Sequence, residues 1–246
     1  MLLTAIRWLR SVFISIPMLL LGTVAAATLG IAASLLLPKS EAVDGIKRVW
    51  ARWVLMTAFV RLRVQGQENI LSDGAVIYCS NHLSYLDPPA LVIATGRPVR
   101  FLAKDSLFRI PFLGWAMRCE GDIPIERDSP RAAARSLGRA AEAIRAGTSF
   151  IVFPEGARSR DGALQGFLSG AFRLAIQAQV PVVPVSIRGS RDALRPGTLL
   201  FRGGTVRIAF GESVAVEGLS IKDQDALSAR VEQAIRRLLS ASENSD

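Results

Sequence analysis

The chain reads as an α/β protein, a layered and mostly parallel sheet with flanking helices, preceded by an N-terminal membrane-associated helical segment. Three observations predict this. Residues 11–37 contain no charged side chain. Beyond them, short apolar runs alternate with helical patterns, the order that builds strand-helix-strand units. Charged constellations then follow the ends of apolar runs, where an α/β sheet presents its loops. At 246 residues, half of them hydrophobic, the chain can bury a full core and is one domain plus an appendage. The expected division is membrane-spanning or membrane-dipping helices over 1–60, a main domain over 61–215, and a C-terminal helix with a polar tail over 216–246.

At helical rise the uncharged run reaches roughly 40 Å, enough to enter or cross a hydrocarbon core of about 30 Å. A cleaved signal peptide is the competing reading, since Arg7 and Arg10 supply a positive start, but the run exceeds the apolar length of such signals. Residues 46–64 mix Lys47, Arg48, Arg52 and Arg61 with Trp50, Trp53, Leu55, Met56 and Phe59, which suits an interfacial helix. Pro38-Lys39-Ser40 separates the two segments. Either the first spans the bilayer, or the pair forms a hairpin dipping into one leaflet. Basic residues flank the run almost evenly, so charge does not orient it.

In the main domain, residues 75–79 read as a strand. Asp87, with Pro88 and Pro89 behind it, opens a helix to about Thr95, and 99–103 is the next strand, ending at Lys104. Leu107, Ile110, Phe112, Leu113, Trp115 and Met117 give a hydrophobic helix or turn-helix; a short strand at 122–125 leads into Glu126-Arg127. Ser129-Pro130 opens a surface helix that Gly147 closes. Residues 149–153 form a buried strand delivering Pro154-Glu155-Gly156, and a helix follows at 170–177. Pro181 and Pro184 within 180–185 predict an edge or irregular strand. A strand at 206–210 and an amphipathic helix at 224–239 complete the order.

The net charge of +9 points to a polyanionic partner: nucleic acid, an anionic bilayer or a phosphorylated substrate. No nucleic-acid motif is recognisable, and with an apolar segment attached the anionic membrane surface is the better fit. Cys79 and Cys119, without a CxxC pair or a second histidine, make no metal site and read as small core residues.

His82 is the only histidine and lies in NHLSYLD, with Asp87 five positions on. A carboxylate that takes the imidazole Nδ1 proton fixes the tautomer and leaves Nε2 as a base. Asp87 before two prolines is equally a helix N-cap. Neither Ser80, Ser84 nor Cys79 sits in a nucleophile elbow, so the attacking hydroxyl can belong to the substrate. FPEGARSR puts Glu155, Gly156 and Arg158 in one turn, where glycine admits a close ligand and arginine can fork onto phosphate; a solvated loop with a local ion pair is the plain alternative. His82, Lys104, Arg127, Glu155 and Arg158 all follow strand ends and can converge on one cleft.

NHLSYLD, GDIPIER (121–127), FPEGARS and VPVVPVSI (180–187) together resemble the four ordered blocks of the glycerolipid acyltransferases, most closely the 1-acyl-sn-glycerol-3-phosphate acyltransferases. The likeness covers roughly residues 60–215, including AKDSLFRIPFLGWAMR (103–118). It implies transfer of a fatty acyl group from acyl-CoA or acyl-carrier protein to the sn-2 hydroxyl of a membrane lysophospholipid, 1-acyl-sn-glycerol-3-phosphate, giving phosphatidate, with His82 as base and Asp87 orienting it. It implies that Glu155, Gly156 and Arg158 bind the acceptor phosphate, with Lys104 and Arg127 as further contacts. No metal or organic cofactor is implied, nor a nucleic-acid partner. The implied location is a bacterial inner membrane, with the active site on the cytoplasmic side. Two positions depart from the pattern: Ala157 stands where threonine is usual and Leu168 where lysine is frequent, which leaves another lyso acceptor, such as lyso-ornithine lipid, as the near alternative. A non-enzymatic basic membrane or nucleic-acid binder is the alternative of another class.

Overall fold

The computed structural model describes residues 2–37, 41–126 and 129–241. A continuous helix runs over Leu2–Leu36, as α1 (Leu2–Arg10), a π-helical turn (Ser11–Ser15) and α2 (Ile16–Leu36). The π turn lies just before Pro17, which lacks the N–H a regular ladder needs and crowds the turn behind it. Among the described residues this is the one helix long and apolar enough to cross a membrane, and only 11% of its most apolar stretch is buried within the protein.

α3 (Glu41–Thr57) runs antiparallel to α2. Trp50 Nε1 donates to Thr23 Oγ1 at 3.1 Å, and Trp53 Nε1 donates to the Met18 carbonyl at 2.8 Å, so later residues of one helix meet earlier residues of the other. Gly22 makes room, because a Cβ there would overlap the Trp53 ring. The long helix also touches the main domain. Arg10 Nη2 donates to the Phe201 carbonyl at 2.6 Å, Phe201 N–H donates to Ser11 Oγ at 2.9 Å, and Gly30 lies beside the Glu120 side chain. From residue 10 to residue 30 is roughly 30 Å of helix. Held along that length against the protein, it leaves its outer face exposed. The separator at 38–40 lies outside the described residues.

One sequence expectation fails here. The segment 46–64 is not a single interfacial helix: α3 ends at Thr57, Phe59 turns the chain at φ 57°, and β1 (Val60–Gln65) begins the sheet. The string VRLRVQ alternates between half-buried and exposed positions, a two-residue period hidden inside an apolar and basic mixture. Ala51 and Leu55 of α3 pack into the core beneath the sheet.

The remaining strands are β2 (Ile77–Ser80), β3 (Arg100–Lys104), β4 (Ile123–Ile125), β5 (Phe150–Val152), β6 (Val182–Arg188) and β7 (Gly204–Phe210). They form one sheet of order β1-β7-β6-β2-β5-β3-β4, parallel except between β6 and β7. α4 (Asp87–Thr95) joins α3 on one face, while α6 (Pro130–Arg145), α7 (Gly170–Ala178) and α9 (Gln224–Ala241) cover the other. α5 (Leu113–Glu120) packs on α2, and the short α8 (Ser190–Ala193) follows β6. Every residue of β2 and β5 is buried, as covered parallel strands must be.

β6 is central, not an edge. It pairs with β2 on one side and β7 on the other. The prolines fit because of where their missing N–H groups would fall. Pro181 precedes the strand. The Pro184 carbonyl accepts from Gly211 N–H at 2.9 Å, so its nitrogen faces β7 at the end of the antiparallel ladder, which begins at Val185↔Phe210. Cys119, expected in the core, is exposed; Cys79 is buried.

The chain leaves β2 for strands on one side of it and returns to β6 on the other. That reversal of strand order makes a crevice beyond the carboxyl ends of β2 and β5, the position at which open α/β sheets bind ligands.

Candidate active site

β2 ends at Ser80, and its end is pinned before the chain enters the crevice. Asn81 is 2% exposed; its Nδ2 donates to the Ile187 carbonyl at 3.0 Å and its Oδ1 accepts the Ile187 N–H at 2.7 Å. The side chain thereby continues the β2–β6 ladder one step after the strand has finished. His82 comes next.

Asp87, fully buried, reaches back toward it. Its Oδ2 lies 2.8 Å from His82 Nδ1 and also accepts the N–H groups of Leu83, at 2.6 Å, and Ser84, at 2.7 Å. An ionised carboxylate only accepts, so Nδ1 carries the proton and Nε2 is the nitrogen left to face a substrate. The N-cap alternative resolves differently: Leu86 occupies the cap position of α4, and Asp87 caps the turn before the helix instead. The imidazole is stacked on Phe153 with centroids 4.0 Å apart and planes at 18°, which limits its rotation.

The loop after β5 holds His82 by its backbone. His82 N–H donates to Glu155 Oε1 at 2.6 Å, and the His82 carbonyl accepts Ser159 N–H at 2.8 Å. Glu155 Oε2 accepts Gln165 N–H at 2.9 Å. Burial pushes the Glu155 carboxyl above the ordinary carboxylate range, while the amides of Gln165 and His82 draw it back down. Both oxygens are thus committed to main-chain donors, a placement different from the phosphate contact implied by the sequence. Gly156 N–H closes a turn onto the Phe153 carbonyl at 3.1 Å with φ 72°, a left-handed conformation that favours glycine.

Arg158 comes off this loop with its guanidinium carbon 3.5 Å from the centroid of the Tyr85 ring, and its shielded Nη1 has no hydrogen-bond partner. Lys104 ends β3 on the same side of the sheet and is exposed. Arg127 lies outside the described residues. The structure therefore brings His82, Asp87, Glu155, Gly156 and Arg158 together, with Lys104 apart on the same edge.

The hydroxyls and thiol near His82 are otherwise engaged. Ser80 Oγ donates to the Asn81 carbonyl and Ser84 Oγ to the Leu194 carbonyl; burial pushes the Cys79 thiol far up, which keeps it protonated. Sequence reasoning missed Phe153, Tyr85 and Ser159. The first two are visible only as aromatics beside the motifs, and Ser159 acts through its backbone, for which no side-chain signal exists.

A family model described as Acyltransferase matches residues 61–188. A chloroplast 1-acyl-sn-glycerol-3-phosphate acyltransferase of Brassica napus is 38% identical over 165 residues, which is 66% of this chain and 47% of the relative. The 1-acyl-sn-glycerol-3-phosphate acyltransferase of Borreliella burgdorferi is 30% identical over 185 residues, 75% of this chain and 74% of the relative. The chain spans about half the length of the chloroplast relatives it matches at 36–38% identity. The crystal structure of the 1-acyl-sn-glycerophosphate acyltransferase of Thermotoga maritima superposes with a TM-score of 0.82 at 27% identity, covering 96% of this chain and 98% of that one.

Proposed function

This chain belongs to the acyltransferase family, and we propose that it moves a fatty acyl group from acyl-CoA or acyl-carrier protein to the sn-2 hydroxyl of 1-acyl-sn-glycerol-3-phosphate, giving phosphatidate. The observation that carries this reading is the His82 imidazole held at Nδ1 by a buried carboxylate, next to an arginine whose Nη1 lacks a partner.

Nε2 removes the proton of the acceptor hydroxyl as that oxygen attacks the thioester carbonyl. Asp87 stabilises the imidazolium that forms. When the C–S bond breaks, the proton passes from Nε2 to the departing thiolate, so ester and free thiol leave a neutral imidazole behind. Arg158 takes the acceptor phosphate, with Lys104 and Arg127 as further basic contacts; Glu155 and Gly156 shape the loop that carries Arg158. The scheme needs no metal and no organic cofactor.

The outer face of the long helix, including Leu20, Leu21 and Leu29 at 60–70% exposure, supports seating in one leaflet of an anionic membrane. The assigned location is a bacterial inner membrane with the crevice on its cytoplasmic side.

The test is to offer membranes bearing the protein a panel of lyso acceptors, lysophosphatidate and lyso-ornithine lipid among them, with acyl-CoA or acyl-carrier protein, and to identify products by mass. Phosphatidate forms with the native protein, and His82→Ala abolishes it while leaving membrane association intact. Undiminished turnover in His82→Ala overturns the mechanism, and acylation of phosphate-free acceptors alone overturns the substrate.

A further inference from the structure

We propose that Tyr85 is a positioning residue for the acceptor headgroup, acting through Arg158 to select lyso acceptors that carry a phosphate. Within NHLSYLD the side chains of Asn81, Leu83, Ser84, Leu86 and Asp87 are buried, and each has a partner in the core or the dyad. Tyr85 alone is exposed, at 56%, and so is not part of the buried core of the turn. This exposed aromatic between two buried neighbours meets the Arg158 guanidinium, 3.5 Å from the ring centroid.

Stacking covers a face of the guanidinium and leaves its N–H edge to meet a ligand in plane. Arg158 takes part in none of the ion pairs among the described residues, and its Nη1 is out of contact with solvent without an acceptor. A donor left in that state costs free energy until an anion arrives. The ring also removes rotamers from a long side chain before binding, so less order is lost when phosphate docks. Because Tyr85 stands three residues after His82, the ring ties the anion site to the turn that carries the base.

The inference rests on Arg158 as the phosphate ligand, and the experiment separates the two claims. Full-length protein in vesicles is assayed with lysophosphatidate and with monoacylglycerol, the same acceptor without phosphate, for the native chain, Tyr85→Phe, Tyr85→Leu and Arg158→Ala. Tyr85→Leu raises the KM for lysophosphatidate roughly 3- to 30-fold, the range of a cation–π contact, with kcat and the KM for the thioester within twofold and the monoacylglycerol KM unmoved. Tyr85→Phe keeps the ring and behaves as native. If Arg158→Ala raises the lysophosphatidate KM and Tyr85→Leu does not, the Tyr85 role is wrong and the phosphate site stands. A Tyr85→Phe variant as impaired as Tyr85→Leu would also refute it, because the hydroxyl would then be the agent. If Arg158→Ala leaves that KM unchanged, both claims fall. Melting temperature serves as the control, since an exposed side chain can be replaced without disturbing the core.

Discussion

Asp87→Asn separates charge from shape at the base. In the native protein one carboxylate oxygen takes three donors, His82 Nδ1 and the amides of Leu83 and Ser84, while Oδ1 is buried without a partner. The carboxamide oxygen of asparagine can occupy the Oδ2 position and accept the same donors, and its NH2 then falls where Oδ1 is unpartnered. The turn survives, but three charge-assisted hydrogen bonds become neutral ones at about half their strength. The imidazolium formed as the hydroxyl attacks also loses its counter-charge. Loss of the orienting charge lowers kcat by something like 10²- to 10⁴-fold, or roughly 3–5 kcal/mol of barrier at 1.36 kcal/mol per decade. Asp87→Ala is the poorer variant, because it strands three donors at about 1–3 kcal/mol each and endangers the turn. The assay is steady-state acyl transfer at saturating lysophosphatidate, with circular dichroism melts of both proteins. An Asp87→Asn enzyme that melts like the native one and turns over within threefold of it would refute the dyad.

Three further variants test named contacts and surfaces. Glu155→Gln sets an NH2 against a main-chain N–H, since Oε1 and Oε2 both serve as acceptors; kcat drops about 10- to 100-fold, the worth of one hydrogen bond to a charged acceptor, while the lysophosphatidate KM stays put, and a rise in that KM alone would return Glu155 to the phosphate. The same variant changes stability with pH: burial raises the native Glu155 above its ordinary 4.5, so the folded state holds this proton more tightly than the unfolded one, and ionisation of the group removes stability as pH rises from 4.5 through the raised value. The urea midpoint of Glu155→Gln minus that of the native chain therefore increases with pH across that window, and a flat difference contradicts the buried carboxyl. Lys47→Met leaves the buried Asp122 and the mostly covered Glu120, 3.1 and 3.2 Å from Lys47 Nζ, without that cation; the cost is about 3–5 kcal/mol, measured by denaturant unfolding, and a loss below 1 kcal/mol would show that this cluster is not what holds α3 to the sheet edge. Leu20→Glu with Leu21→Glu, both on the open face of α2, lowers sedimentation with anionic vesicles without changing the far-ultraviolet spectrum; unchanged sedimentation would mean that this face does not meet lipid.

What could be read from the sequence divides by the range of the interaction. α4 was legible to the residue because its signals are local: prolines in the first turn and Gly96 at φ 62° after Thr95. Ser129 Oγ accepts Ala132 N–H at 3.4 Å, so the start of α6 was written within four adjacent residues as well. β1 was lost because six alternating residues following a helix of similar composition present no break in hydrophobicity. The centrality of β6 depends on which way a proline nitrogen faces in a ladder that pairs with β7 some twenty residues on, and composition cannot report that. At the site, the pairing of His82 with Asp87 was visible as spacing, whereas the Glu155 bond to the His82 amide joins positions 73 residues apart through a backbone atom that every residue owns.

That last bond changes what the two motifs are. His82 is held at its N–H by Glu155 and at its carbonyl by Ser159, and Arg158 lies between those two loop residues in sequence. On the proposed function, the group that takes the hydroxyl proton and the residue that meets the phosphate are therefore anchored to one another through main-chain bonds of a single loop. In lysophosphatidate the sn-2 hydroxyl and the phosphorus are separated by four covalent bonds, so their distance is bounded, and rotation about the two inner bonds chooses among a few staggered values within that bound. A protein spacing that accepts only one of those conformers is how orientation is converted into rate, since misplacement by about 1 Å can cost 10²-fold. On the proposed function, Glu155 therefore serves catalysis from off the phosphate, by holding the main chain that carries the base.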